Sequence, residues 1–258
     1  MIETGKSILS IETATPVCSV ALRLPNGQIF EKRAVGKGVH SELTFVFIEE
    51  LLGEHKLEVR DLGALIISAG PGSYTGLRVA SSAAKGILFE TGIPLFACQT
   101  LGAFAFAARE LLIKNKKNGV TAAGSDSGMM TIDNRNIAGF AGCETVIDAR
   151  RNHLYHQVWR FVDNGIEPDS GVVLQEIPEV LDRWVSGCFL VGTGVDRIRM
   201  VAAAKAVSIE KLPVLSGADA VNAGHVLHAL GRISQNQLKN LIKKVAPEHF
   251  EPYYYSGL

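Results

Sequence analysis

Residues 65–90 read LIISAGPGSYTGLRVASSAAKGILFE. The apolar run Leu65-Ile66-Ile67 has the pattern of a buried strand. Gly70-Pro71-Gly72 breaks it, and Ser73 is a good N-cap for a helix that continues toward Thr91. Strand, glycine turn and helix is the layout of many phosphate-binding sites, where N–H groups at the helix start meet the anion. The helix points elsewhere. Gly76, Ala80, Ser81, Ala83, Ala84 and Gly86 leave it almost without bulk, and such a helix lets another backbone come close. The stretch therefore holds either a ligand or a partner helix. The ligand reading lacks its usual companions. Gly76 is followed by Leu77 and not by the Lys-Ser/Thr of a P-loop, and the next strand ends on Cys98 and Gln99 without an acid.

Upstream, residues 7–12 (SILSIE) and 19–24 read as strands, Asn26-Gly27 as a tight hairpin turn, and 28–35 as the third strand. A helix follows over 41–54. Leu43, Phe47 and Leu51 form one apolar row on it, and Phe45, Ile48 and Leu52 another. Two rows on one helix suggest one face for the core and one for something else. Downstream, 94–98 is a strand and 101–114 a helix. Residues 114–136 are polar and rich in Gly, Ser, Asn and Lys, the composition of a flexible loop.

The second half repeats the order. Residues 144–148 (ETVID) form a strand ending in Asp148, as SILSIE ends in Glu12. Strand 154–162, the Asn164-Gly165 turn, an extended segment through 172–174 and a helix over 178–185 follow. An apolar strand over 188–191 then breaks at Gly192-Thr193-Gly194, and a helix near 219–233 closes the half. This duplication predicts an α/β chain of two βββαβα halves, the actin-like, ribonuclease H-like plan. Residues 1–113 form the first half, 114–136 the loop and 137–258 the second half.

Composition narrows the classes. The chain has 258 residues and 47% hydrophobic composition, enough for a sizeable core. Lys plus Arg and Asp plus Glu each number 26, so no global charge suits a nucleic-acid coat or an anionic membrane. Four scattered cysteines without a CxxC pair read as reduced core residues. Without a long apolar leader or a membrane-length run of roughly 20 residues, the expected location is the cytoplasm.

An ATP site in an actin-like cleft needs a hairpin of free backbone donors, a carboxylate on each half and a glycine-rich adenosine loop. Glu12, Asp148, Gly192 and Gly194 occupy the corresponding positions. The first hairpin, TATPVCS, has no glycine, and Pro16 removes a donor, which argues against phosphoryl transfer. The four residues then read as vestigial cleft positions, and an ATPase or phosphotransferase acting in its own right is the alternative. Metal chemistry is equally unsupported. His153 and His156 fall on opposite faces of a strand, His225 and His228 lack a third ligand, and His40 is followed four residues on by Thr44, so no HxxxH pair forms. No GxSxG or HExxH motif is present.

ILSIETATPVCSVAL, GPGSYTGLRVASSAAKG, VIDARRNHLYHQVW, VGTG and PEHFEPYY together resemble the bacterial TsaB (YeaZ) family. The resemblance implies a subunit with no catalytic site, metal or cofactor of its own. Its partner is a metal-binding TsaD paralogue that forms threonylcarbamoyladenosine on tRNAs reading codons that begin with A. It further implies a TsaE-type ATPase at the junction, tRNA contact only through the complex, and a homodimer where the paralogue is absent. Its interface is carried here by the helices at 41–54 and 73–90, with Leu43, Phe47, Leu51, Tyr74, Gly76, Leu77, Arg78, Ala80, Ser81, Ala84 and Lys85 as contact residues. On this reading Ala80→Trp blocks pairing and leaves the monomer folded.

Overall fold

Strands β1 (Ser7–Glu12) and β2 (Val17–Arg23) are buried along nearly their whole length, the pattern of strands covered on both faces. They pair antiparallel, Ile8 opposite Arg23 and Glu12 opposite Ser19. The expected Asn-Gly turn joins β2 to β3 (Ile29–Val35). Gly27 takes φ +88°, and Asn26 Oδ1 accepts the Gln28 N–H. Strand β4 (Leu62–Gly70) runs parallel to β1, and β5 (Leu95–Gln99) parallel to β4.

The computed structural model describes residues 2, 5–36, 38–118, 131–132, 141–163, 165–182, 188–204, 214–216, 221–230, 232 and 238–255. These fall into two units, Met1–Ala103 with Val221–Tyr254, and Phe104–Ala220 with Tyr255–Leu258.

In the first unit the sheet order is β13-β5-β4-β1-β2-β3, with β13 (Ile242–Val245) antiparallel on β5. Helix α1 (Val39–Glu54) covers β2 and β3, and α2 (Tyr74–Leu88) lies on β4 and against α1. Their inner faces close a core of Leu9, Ile11, Val20, Leu22, Ile48, Leu51, Leu65, Ile67, Ala80, Ala84 and Phe250. At about 25 cal/mol per Å² of apolar surface, each of the large side chains contributes roughly 1.5–3 kcal/mol by leaving water.

In the second unit β7 (Gly142–Asp148), β8 (His153–Val162), β11 (Cys188–Val191) and β12 (Val214–Ser216) repeat the first unit's order. The third strand is divided. Strand β9 (Gly165–Pro168) pairs with the end of β8, and β10 (Val173–Glu176) with its beginning. Helices α4 (Ile177–Asp182) and α5 (Val195–Ala204) complete the repeat. Trp159 is buried, and its Nε1 donates to Thr145 Oγ1 at 3.0 Å.

Three boundaries differ from the sequence expectation. Helix α3 (Thr100–Asn118) runs into the expected loop, and β6 (Thr131–Ile132) within that loop pairs with β12. The rest of 114–136 lies outside the described residues. The first unit's boundary falls inside α3, between Ala103 and Phe104, and not at residue 113. Residues 221–254 belong to the first unit, not the second half. Helix α6 (Ala223–Leu230) lies on β1, β2 and β3, held by Ala223 N–H donating to Ser19 Oγ and Gly224 N–H to Glu31 Oε1. Periodicity marks α6 as a helix but carries no information about which sheet receives it.

Candidate functional site

The turn after β4 is shaped by what lies beneath it. Gly72 and Gly76 sit directly on the β1–β2 hairpin, where an added Cβ would lie 2.3 Å from Ala14 O and 1.9 Å from Thr13 O. Thr13 Oγ1 donates to Gly76 O at 2.7 Å, and Ser73 N donates to Ala14 O at 2.7 Å. Ser73 Oγ caps α2 by accepting the Gly76 N–H. The backbone that the small residues admit is therefore this chain's own.

The same packing uses up the first hairpin. Thr13 N donates to Ser68 Oγ at 3.1 Å, Ala14 N to Glu12 Oε1 at 2.6 Å, and Val17 N to Thr15 Oγ1 at 3.2 Å. Glu12 also takes the Thr15 N–H, and Pro16 has none to give. A phosphate cradle needs these donors free. Glu12 is 2% exposed, and burial pushes its carboxyl up to about 8 against the pull of the two N–H donors. Burial, with Glu12 nearby, likewise pushes the Cys98 thiol up.

His40 and Thr44 are engaged in the same unit. His40 Nε2 lies 2.8 Å from Thr15 O and 3.2 Å from Val17 O, so that nitrogen carries a proton and donates. Thr44 Oγ1 donates to His40 O and lies 3.4 Å from Cys18 Sγ. Among the described residues no group of three or more His, Cys, Asp or Glu is placed to hold a metal ion.

In the second unit Asp148 is exposed and accepts the Arg150 N–H at 2.8 Å, in a turn where Arg150 and Arg151 both take positive φ. Gly192 has φ +131°, and a Cβ there would lie 2.1 Å from Val146 O; one on Gly194 would meet Leu154 Cδ2 at 2.7 Å. These glycines bring the chain against β7. Sequence reasoning missed a polar chain across this sheet. His156 Nδ1 lies 2.9 Å from Glu144 Oε1, out of line for a hydrogen bond, and His156 Nε2 lies 2.8 Å from Gln175 Oε1. Gln175 Nε2 donates to Glu179 Oε2 at 2.8 Å. The signal was there in Glu144 and His156, polar residues on one face of two adjacent strands.

The expected contact residues divide sharply. Leu51, Gly76, Leu77, Ala80, Ser81 and Ala84 are buried in the first unit, so their side chains form no outer surface. Leu43, Phe47 and Lys85 are half-buried, and Tyr74 and Arg78 are exposed. The outer surface instead carries Phe45 at 49% and Val46 at 40% exposure on α1, and Tyr74 at 53% on α2. Ser41 and Phe45 on α1 and Tyr74, Arg78, Val79 and Ser82 on α2 line a groove of about 430 Å³. Exposed aromatic and apolar groups flanking a groove with one arginine are what a protein-binding surface presents.

Two sheets of repeated strand order place the chain in the actin-like, ribonuclease H-like class. A family model described as TsaD, tRNA N6-adenosine threonylcarbamoyltransferase, matches residues 35–250. The tRNA threonylcarbamoyladenosine biosynthesis protein TsaB of Haemophilus influenzae is 34% identical over 41% of this chain and 44% of its own length, so the chain spans less than half of that relative. The TsaB of Escherichia coli is 29% identical over 72% of this chain and 71% of its own length. The structure of YeaZ from Pseudomonas aeruginosa superposes with a TM-score of 0.68, covering 97% of this chain and 100% of the other at 19% identity, which establishes the shared fold. The chain belongs to the family that the TsaD model describes and, within it, to the TsaB (YeaZ) group.

Proposed function

We propose that this chain is a non-catalytic subunit that binds and activates a TsaD-type paralogue in forming threonylcarbamoyladenosine on tRNA. The observation that carries the reading is the outer face of α1 and α2, where Phe45, Val46 and Tyr74 border the groove around Arg78. The names of the relatives supply the pathway. The first hairpin supports the passive role, because its backbone donors are already taken by Glu12, Thr15 and Ser68. The ATPase alternative needs those donors free for phosphate. A TsaE-type ATPase would join the pair, tRNA would be contacted through the complex, and without the paralogue the same face would support a homodimer. The complex would work in the cytoplasm; among the described residues no helix is long and apolar enough to cross a membrane.

The test mixes the chain with the TsaD-type paralogue of the same organism and follows the mixture by size-exclusion chromatography. A tRNA modification assay is then run with and without this chain. Co-elution and modification that depends on this chain are expected. Independent elution, or ATP hydrolysis by this chain alone that is lost in Glu12→Ala, would overturn the reading.

A further inference from the structure

The segment after β13 crosses α2 and is fastened along its length. Phe250 is buried in the first unit's core, and Lys85 Nζ on α2 lies 3.5 Å from Glu251 Oε1. Tyr253 N donates to Ala69 O at 2.7 Å. Gly70, at φ +108°, makes that approach possible, because a Cβ there would lie 2.7 Å from Tyr253 O. The next residue, Tyr254, is thereby delivered to the groove. Its ring centroid stands 5.2 Å from that of Tyr74. Arg78, one turn along α2, places its guanidinium carbon 4.2 Å from the Tyr74 centroid and hydrogen-bonds Tyr254.

Arg78 is exposed, yet two tyrosines hold its guanidinium. Among the described residues no carboxylate lies within 4.0 Å of it; Glu251, paired with Lys85, acts on it only from farther away. An unrestrained arginine loses rotamer freedom when it binds, and that loss weakens the contact it makes. A guanidinium already held in place avoids much of this cost, and its planar fork suits a carboxylate. We propose that Tyr254 is a positioning residue that, with Tyr74, presets Arg78 as the polar anchor of the α1–α2 face. The occupant is an apolar surface of the TsaD-type paralogue that presents a carboxylate opposite Arg78. This rests on the reading that the face is the paralogue's docking surface.

The test is a set of calorimetric titrations with the paralogue. Arg78→Ala is expected to weaken binding about thirtyfold and Tyr254→Ala about tenfold, the range of interface anchors. Tyr254→Phe keeps the ring but removes the hydroxyl that holds Arg78, and is expected to lose most of what Tyr254→Ala loses. In the double variant Arg78→Ala with Tyr254→Ala, binding is expected to be no weaker than in Arg78→Ala alone, because Tyr254 acts through Arg78. Independent, multiplying losses, or native affinity in Tyr254→Ala, would overturn the positioning role. Phe45→Asp separates the two levels of the account. If it abolishes binding while Tyr254→Ala binds normally, only the positioning role fails. If it binds normally, the docking surface itself is wrong.

Discussion

The two faces of α2 use small residues for opposite purposes. On the inner face Gly76, Ala80 and Ala84 let the helix settle onto β4 and the first hairpin, so closely that Gly76 has no room for a Cβ. On the outer face Ser82 and Gly86 are exposed between Tyr74, Arg78 and Phe89, and a Cβ on Gly86 would meet nothing within 4 Å. A small side chain thus marks close approach only where something already lies against it. An available surface is marked by large apolar groups left in water.

The inner face is where substitution has the largest effect. Ala80 is fully buried, so Ala80→Trp is expected to unfold the chain or cost on the order of 4 kcal/mol, read as a fall in the thermal midpoint. This reverses the sequence-based expectation of a folded monomer that merely fails to pair. A folded Ala80→Trp chain with a native midpoint would erase the distinction between the faces.

The hairpin beneath α2 gives a smaller, pH-dependent effect. Burial raises the Glu12 carboxyl from 4.5 to about 8. The stability linked to this group is therefore full below about pH 4.5 and lost as pH rises through about 8. Denaturant melts at pH 5 and pH 9 are expected to differ by on the order of a few kcal/mol more in the native chain than in Glu12→Gln. Equal differences would mean that Glu12 is not buried as described. The smallest effect belongs to the rim. The Lys85–Glu251 pair is solvent-exposed, and Lys85→Ala is expected to change stability by no more than about 0.5 kcal/mol in the same melts.

Much of the fold was legible because its signals are local. The apolar run of β4, the Ser73 cap, the Asn26-Gly27 turn and the repeated strand order all report on the chain within a few residues. The division into units was not, because the placement of α6 on β1–β3 rests on Ser19 and Glu31, some two hundred residues away in sequence. The proposed docking face lies on the two helices the sequence singled out, but largely on other residues of them. On α1 the two apolar rows are cut differently from expectation, with Ile48, Leu51 and Leu52 inside and Phe45 and Val46 outside. Periodicity gives the angles between side chains, whereas the neighbouring sheet decides which angle is covered. Tyr254 could not have been placed beside Tyr74 without knowing that Tyr253 bonds to Ala69.

The outer face of α1 and α2 is proposed to activate the paralogue. The direct measurement is threonylcarbamoyladenosine formation on tRNA by the reconstituted paralogue, its ATPase and either the native chain or Phe45→Asp. The account predicts that Phe45→Asp, folded and with a native thermal midpoint, lowers product to the level seen without this chain. Product formation equal to that with the native chain would contradict it.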